Sequence, residues 1–184
     1  MPGAIYSPFA DRLVGHPGPI FPLHVGDTWR DPFEGARSED VHGAEHPRLH
    51  AYGDTRGLPA LIERVRRKLR ERNGLEHVPE EILITAGATG GLAALAGAVL
   101  SPDDEMLILA PFWPLIRGIA QTFRARPVEV PFFDRVSTCA EAVRAVESRI
   151  TSKSRVLYVS TPSNPTGRII PGEWLEALAG LARR

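Results

Sequence analysis

An α/β fold, with a mostly parallel sheet and helices on both of its faces, is what this sequence predicts, and three observations lead there. The apolar runs Ile82-Leu83-Ile84-Thr85, Met106-Leu107-Ile108-Leu109 and Val156-Leu157-Tyr158-Val159 are continuous rather than alternating, as in strands buried on both faces. Between them, apolar residues recur at helical spacing. Glycine, proline and aspartate break the chain where the period changes, and repeated strand–helix units of this kind put the strands parallel and the helices outside.

Taken in order, residues 1–45 are rich in Pro, Gly, Asp and His and hold no sustained period. They read as an arm or small-domain segment, in which Leu23-His24-Val25-Gly26 is a short strand ending at a glycine turn. Leu58, Leu61, Ile62, Val65 and Leu69 then repeat among Arg, Lys and Glu, the pattern of an amphipathic helix stopped by Asn73-Gly74. The strand at 82–85 leads into a tight turn, Gly87-Ala88-Thr89-Gly90-Gly91, and then a helix over 92–100 packed on both sides. After the strand at 106–109 come a helix over 115–123, a strand near 127–130, a helix over 140–150 and the strand at 156–159. Pro171 suits the first turn of a last helix carrying Trp174, Leu175, Leu178 and Leu181. A parallel sheet halted after that helix would leave an apolar edge or face uncovered, so a further half is expected.

Composition narrows the function. The 22 Lys and Arg balance the 22 Asp and Glu, which gives no basis for general binding of nucleic acid or an acidic membrane surface. Cys139 is the only cysteine, so neither an intrachain disulfide nor a thiolate metal cluster can form. The N-terminus lacks the basic flank and apolar stretch of a signal peptide, and no apolar run reaches membrane-spanning length. The expected location is cytoplasmic.

Ligands of open α/β sheets bind beyond the carboxyl ends of the strands, and three such ends carry unusual residues. Gly87-Ala88-Thr89 joins a strand to a helix, where free N–H groups, a hydroxyl and the helix dipole suit a phosphate. Taken alone it reads more readily as a plain turn, and it is neither a dinucleotide fingerprint nor a Walker loop. Pro111-Phe112-Trp113-Pro114 holds a large flat ring able to stack on a planar cofactor, or simply to fill an interface. Ser160-Thr161-Pro162-Ser163-Asn164-Pro165-Thr166-Gly167 presents the Asn164 amide on a turn fixed by proline and glycine.

Together with Tyr52-Gly53-Asp54-Thr55-Arg56-Gly57-Leu58 ahead of the amphipathic helix, these segments resemble the class I/II aminotransferases of the fold-type I pyridoxal-phosphate enzymes, over residues 23–184. Asn-Pro-Thr-Gly after an apolar strand is the most specific of them. The resemblance implies that residues 46–184 are the first half of the pyridoxal-phosphate-binding large domain. It implies that Gly87, Ala88 and Thr89 bind the cofactor phosphate, that Trp113 stacks on the pyridine ring where many relatives have tyrosine, and that Asn164 bonds the ring's phenolic oxygen. Tyr52 would reach the cofactor phosphate of the other subunit of a homodimer, and Gly26 would approach the substrate carboxylate through its backbone. The family's lysine that links to the cofactor, its aspartate at the pyridine nitrogen and its carboxylate-binding arginine would all lie beyond Arg184. Lys68 and Lys153, the only lysines, fall on a polar helix face and in a loop. The chain alone is therefore expected to contain no catalytic residue and to be inactive, whereas the complete protein would transfer an amino group between an amino acid and a 2-oxo acid. A C–S lyase or an aminocyclopropane-carboxylate synthase of the same fold would share these residues, and a non-catalytic binding or dimerisation module is the reading outside enzymology.

Two other patterns are set aside. His42-Gly43-Ala44-Glu45-His46 matches an inverted zincin motif, but Gly43 and Pro47 oppose the continuous helix that zinc ligation needs, so no metal is expected. Arg64, Arg66, Arg67, Lys68, Arg70 and Arg72 carry no interleaved stacking aromatics and read as the solvated face of the amphipathic helix.

Overall fold

The computed structural model describes residues 15, 17–19, 30–48 and 50–183. The expected strand at 23–26 lies outside them. The chain divides into two compact units, Met1–Leu58 and Pro59–Arg184. In the first, short 3-10 turns at Ser38–Asp40 and Gly43–Glu45 are the regular structure among the described residues.

The second unit is the predicted α/β body. Its elements are α1 (Pro59–Lys68), α2 (Gly87–Val99), β1 (Glu105–Ala110), α3 (Leu115–Thr122), β2 (Arg126–Pro131), α4 (Cys139–Glu147), β3 (Ser154–Tyr158) and α5 (Gly172–Ala182). The strands form one parallel sheet in the order β2-β1-β3. Leu107 lies opposite Val128 on one side and Leu157 on the other.

Alternation along the central strand explains its apolar run from Met106 to Leu109. Leu107 and Leu109 point into a core with Val130, Phe132, Ala142, Val146, Leu178 and Leu181, beneath α4 and α5. Met106 and Ile108 point the other way, into a core with Ala96, Leu100, Ile116, Ile119 and Ala120, beneath α2 and α3. Helices thus cover both faces of the sheet. Each of these β1 side chains is at most 3% exposed, and full burial of one contributes about 1.5–3 kcal/mol. Phe132 and Trp174, edge to face with centroids 6.5 Å apart, join the end of β2 to α5.

At the amino edge of the sheet the buried Glu105 carboxylate accepts hydrogen bonds from Thr151 Oγ1 (2.6 Å) and Ser154 Oγ (3.2 Å). The start of α4 is a capping box: Thr138 Oγ1 accepts from the Glu141 N–H, while the Glu141 carboxylate accepts from the N–H groups of Thr138 and Ser137. α1 ends in a single π turn, Leu69–Asn73, closed by Gly74 in the left-handed conformation.

The structure departs from expectation in three places. Residues 82–85 form no ladder; the Ile82 N–H donates to Pro79 and the Thr85 carbonyl accepts from Gly87, so turns consume both ends of the segment. The residues expected as a tight turn already belong to α2, which begins at Gly87. Nor is α2 packed on both sides: Leu95 (61%) and Val99 (46%) are exposed, as is Leu83 (56%). Among the described residues no helix is long and apolar enough to cross a membrane.

Candidate functional site

Helix direction puts three loops at one end of the second unit. α2 has 13 residues and runs down to Leu100, just ahead of the amino end of β1. At about 1.5 Å per helical residue and about 3.3 Å per strand residue, α2 and β1 are of similar length, so the start of α2 stands level with the carboxyl end of β1. Leu92 and Ala93 of α2, Phe112 and Trp113 after β1, and Tyr158 at the end of β3 all pack against the same core.

The first loop is built around Ala86, whose φ −72° and ψ 71° are those of an inverse γ-turn. Its hydrogen bond runs from the Gly87 N–H to the Thr85 carbonyl (2.8 Å), and Thr85 Oγ1 donates to the Gly87 carbonyl (3.0 Å). Gly87 follows at φ +68°, a conformation that disfavours any Cβ, and nothing lies within 4 Å of where a Cβ would be. No side chain caps α2, so its first turn presents backbone N–H groups and the dipole's positive end beside the exposed Thr89.

The second loop leaves β1 at Ala110, whose carbonyl accepts from the N–H groups of Phe132 (3.1 Å) and Phe133 (2.9 Å). From this fixed base Trp113 is partly buried, and its carbonyl accepts the Ile116 N–H at the start of α3. The third loop closes on itself. The Ser163 N–H donates to the Arg168 carbonyl (2.9 Å), the Gly167 N–H to the Ser163 carbonyl (2.7 Å), and the Ile170 N–H to Thr161 Oγ1 (2.9 Å). Gly167 makes the turn at φ +69°, and the Arg168 guanidinium ties the loop to the Phe133 carbonyl. Asn164 is exposed at the tip.

None of the three loops, 85–89, 111–114 and 160–167, contains an acidic residue that would itself repel an anion. The acids shifted from their ordinary value lie elsewhere. Glu81 is lowered first by the Val78 N–H and then by His77, and Glu141 first by the Ser137 N–H. Both are helix or turn caps.

Of the residues expected at the site, Gly87, Ala88, Thr89, Trp113 and Asn164 stand at this one end of the second unit. Tyr52 is fully exposed in the first unit, ahead of the Asp54–Gly57 turn, and Gly26 lies outside the described residues. His42, Glu45 and His46 surround a single exposed 3-10 turn. Arg66 in the basic run is committed to the His77 carbonyl (2.8 Å) and Glu63 (2.7 Å). The sequence reading missed Thr85 and Arg168, whose roles come from turn geometry. It also missed Ser163, buried at 4% exposure with a hydroxyl that finds no partner among the described residues.

The family model for aminotransferases of class I and II matches residues 19–184. An aspartate/prephenate aminotransferase of Thermus thermophilus is 37% identical over 131 residues, 71% of this chain and 34% of that protein. A Thermus thermophilus aspartate aminotransferase solved with maleate superposes at TM-score 0.64 and 34% identity, over 77% of this chain and 38% of that one. An aromatic aminotransferase of Pyrococcus horikoshii does so at 0.68 and 29%, with the same coverage of 77% and 38%. The chain thus spans about a third of the length of the curated relative, 34%.

Proposed function

We propose that this chain, which belongs to the class I and II aminotransferase family, supplies the phosphate- and ring-binding half of an enzyme that moves an amino group between an amino acid and a 2-oxo acid. Family membership brings dependence on pyridoxal phosphate. One observation carries the assignment of residues: an uncapped helix start with an open left-handed glycine, a partly buried indole and an exposed amide all occupy the carboxyl end of one parallel sheet.

These residues fit a phosphorylated pyridine. The N–H groups of Ala88 and Thr89 and the Thr89 hydroxyl would hold the phosphate, where the helix terminus stabilises negative charge by about 0.3–1 kcal/mol. Gly87 leaves room for the phosphate to approach the backbone. Trp113 would cover one face of the ring and exclude water from it. The Asn164 amide would donate to the ring oxygen, a charge-assisted bond contributing about 1.5–3 kcal/mol that favours the deprotonated oxygen. When bound, the cofactor supplies the electron-accepting ring on which amino-group chemistry depends. Lys68 is exposed at the end of α1, and Lys153 lies in the turn before β3, at the sheet's amino end. The 184 residues therefore bind without turnover, and the lysine belongs to the rest of a complete enzyme.

Residues 46–184 act as the first half of its large domain. Its location is cytoplasmic, and it works as a homodimer in which Tyr52 reaches the phosphate held by the other copy and Gly26 meets the substrate carboxylate. Titration with pyridoxal phosphate, followed by visible absorbance, tests the site: saturable binding weakened by Thr89→Ala and Asn164→Ala supports it. Absence of saturable binding to the complete polypeptide, or binding indifferent to both changes, sinks it. Amino-group exchange with a panel of amino donors then tests the reaction.

A further inference from the structure

We propose that Arg117 is a positioning residue that sets the Trp113 ring from outside the site; this rests on the cofactor reading above. Trp113 sits in a four-residue loop between Pro111 and Pro114, with no ladder to hold it. It packs against the core that holds Ile116, Ile119 and Ala120. The neighbouring Phe112 packs against the same core, and its ring is covered by the Arg117 guanidinium, 5.4 Å from the centroid.

Arg117 lies one helical turn beyond Trp113, on α3. Its guanidinium also pairs with the carboxylate of Glu129, on the neighbouring strand β2. Glu129 stands opposite Ile108 in the β1–β2 ladder, two residues before the end of β1 from which the loop springs. One planar cation therefore joins three pieces: the aromatic before Trp113, the helix after it, and the strand beside its base. Lysine cannot do the same, because an ammonium has no flat face to lay on Phe112 while forking to a carboxylate. Arg117 meets Phe112 and Glu129, so its action on the cofactor runs through the loop that carries the indole.

A double-mutant cycle on the complete protein tests this, with pyridoxal phosphate as the probe. Arg117→Met keeps the aliphatic stem and removes both charged contacts. It is expected to weaken cofactor affinity about two- to fivefold, the scale of an exposed cation–π contact and a surface ion pair. In a Trp113→Leu background the same change is expected to cost nothing further, and Arg117→Lys is expected to resemble Arg117→Met. In addition, the near-UV circular dichroism that Trp113 contributes, taken as the difference from Trp113→Leu, shrinks in Arg117→Met without any cofactor present. An equal loss in both backgrounds, or an unchanged Trp113 signal, overturns the role of Arg117 and leaves the cofactor site standing. If the parent protein does not bind pyridoxal phosphate, the site and this inference fall together.

Discussion

Two glycines in matched positions measure how tightly α2 is set against α3. Gly97 and Gly180 are each the third residue from the end of their helix, in α2 and α5. A Cβ at Gly97 would lie 2.8 Å from two ring carbons of Phe123, whereas one at Gly180 meets nothing within 4 Å. Replacing glycine by alanine in a helix favours folding by about 0.8–1 kcal/mol, and at Gly180 that is the whole effect. At Gly97 the Phe123 ring must give way, and overpacking of this kind costs about 1–3 kcal/mol. Gly97→Ala is therefore expected to be about 1–3 kcal/mol less stable than Gly180→Ala, and no more stable than the parent. With about 2–4 °C per kcal/mol for a chain of this size, thermal melts followed by circular dichroism separate the two variants by several degrees. Adding Phe123→Leu to Gly97→Ala makes room for the methyl and recovers part of the loss. Coincident melts for the two alanine variants would refute the argument, because the close approach of α2 to Phe123 would then exert no force. The consequence reaches function, since tilting the C-terminal turn of α2 swings its first turn, about 15 Å away by helical rise, where the phosphate is proposed to bind.

Four further outcomes follow from the same contacts. Asn164 is exposed, so Asn164→Ala is expected to leave thermal stability within about 0.5 kcal/mol of the parent while shifting the absorbance of bound pyridoxal phosphate. At φ +68° with open space around it, Gly87→Ala costs about 1–2 kcal/mol in chemical denaturation through backbone strain alone, and weakens phosphate binding besides. Glu105→Ala deprives the Thr151 and Ser154 hydroxyls of their shared acceptor and lowers stability in urea by about 1–3 kcal/mol, with no direct effect on the loops at the opposite end of the sheet. Because the N–H of Ser137, foremost, holds Glu141 below the ordinary glutamate value, its capping contribution is present at and above the ordinary glutamate range and lost as pH falls through the folded-state value. Acid titration of stability should therefore show a shallower decline in Glu141→Gln than in the parent.

How much of this was legible beforehand depends on what each residue answers to. β1 was readable because both of its faces are buried, so Met106 to Leu109 had to be apolar whichever way each pointed. Residues 82–85 carry the same signature and yet form no strand, because a ladder is a property of two segments and a sequence pattern reports only one. The same limit explains α2. Alanine, leucine and glycine at 92–100 announce a helix with apolar surroundings, but not that Leu95 and Val99 stay exposed, since burial belongs to neighbours. At the site, Asn164-Pro165-Thr166-Gly167 and the glycine at 87 were visible because turn chemistry is local: Gly167 and Gly87 both adopt positive φ. Arg117 was invisible for the opposite reason. Nothing in its own surroundings marks it, and its partners Phe112 and Glu129 meet only once β2 is laid beside β1. Residues that touch a ligand through backbone or turn geometry thus declare themselves in sequence. Residues that steady such turns from a second element do not, because their partners lie far apart in the chain and meet only in the folded sheet.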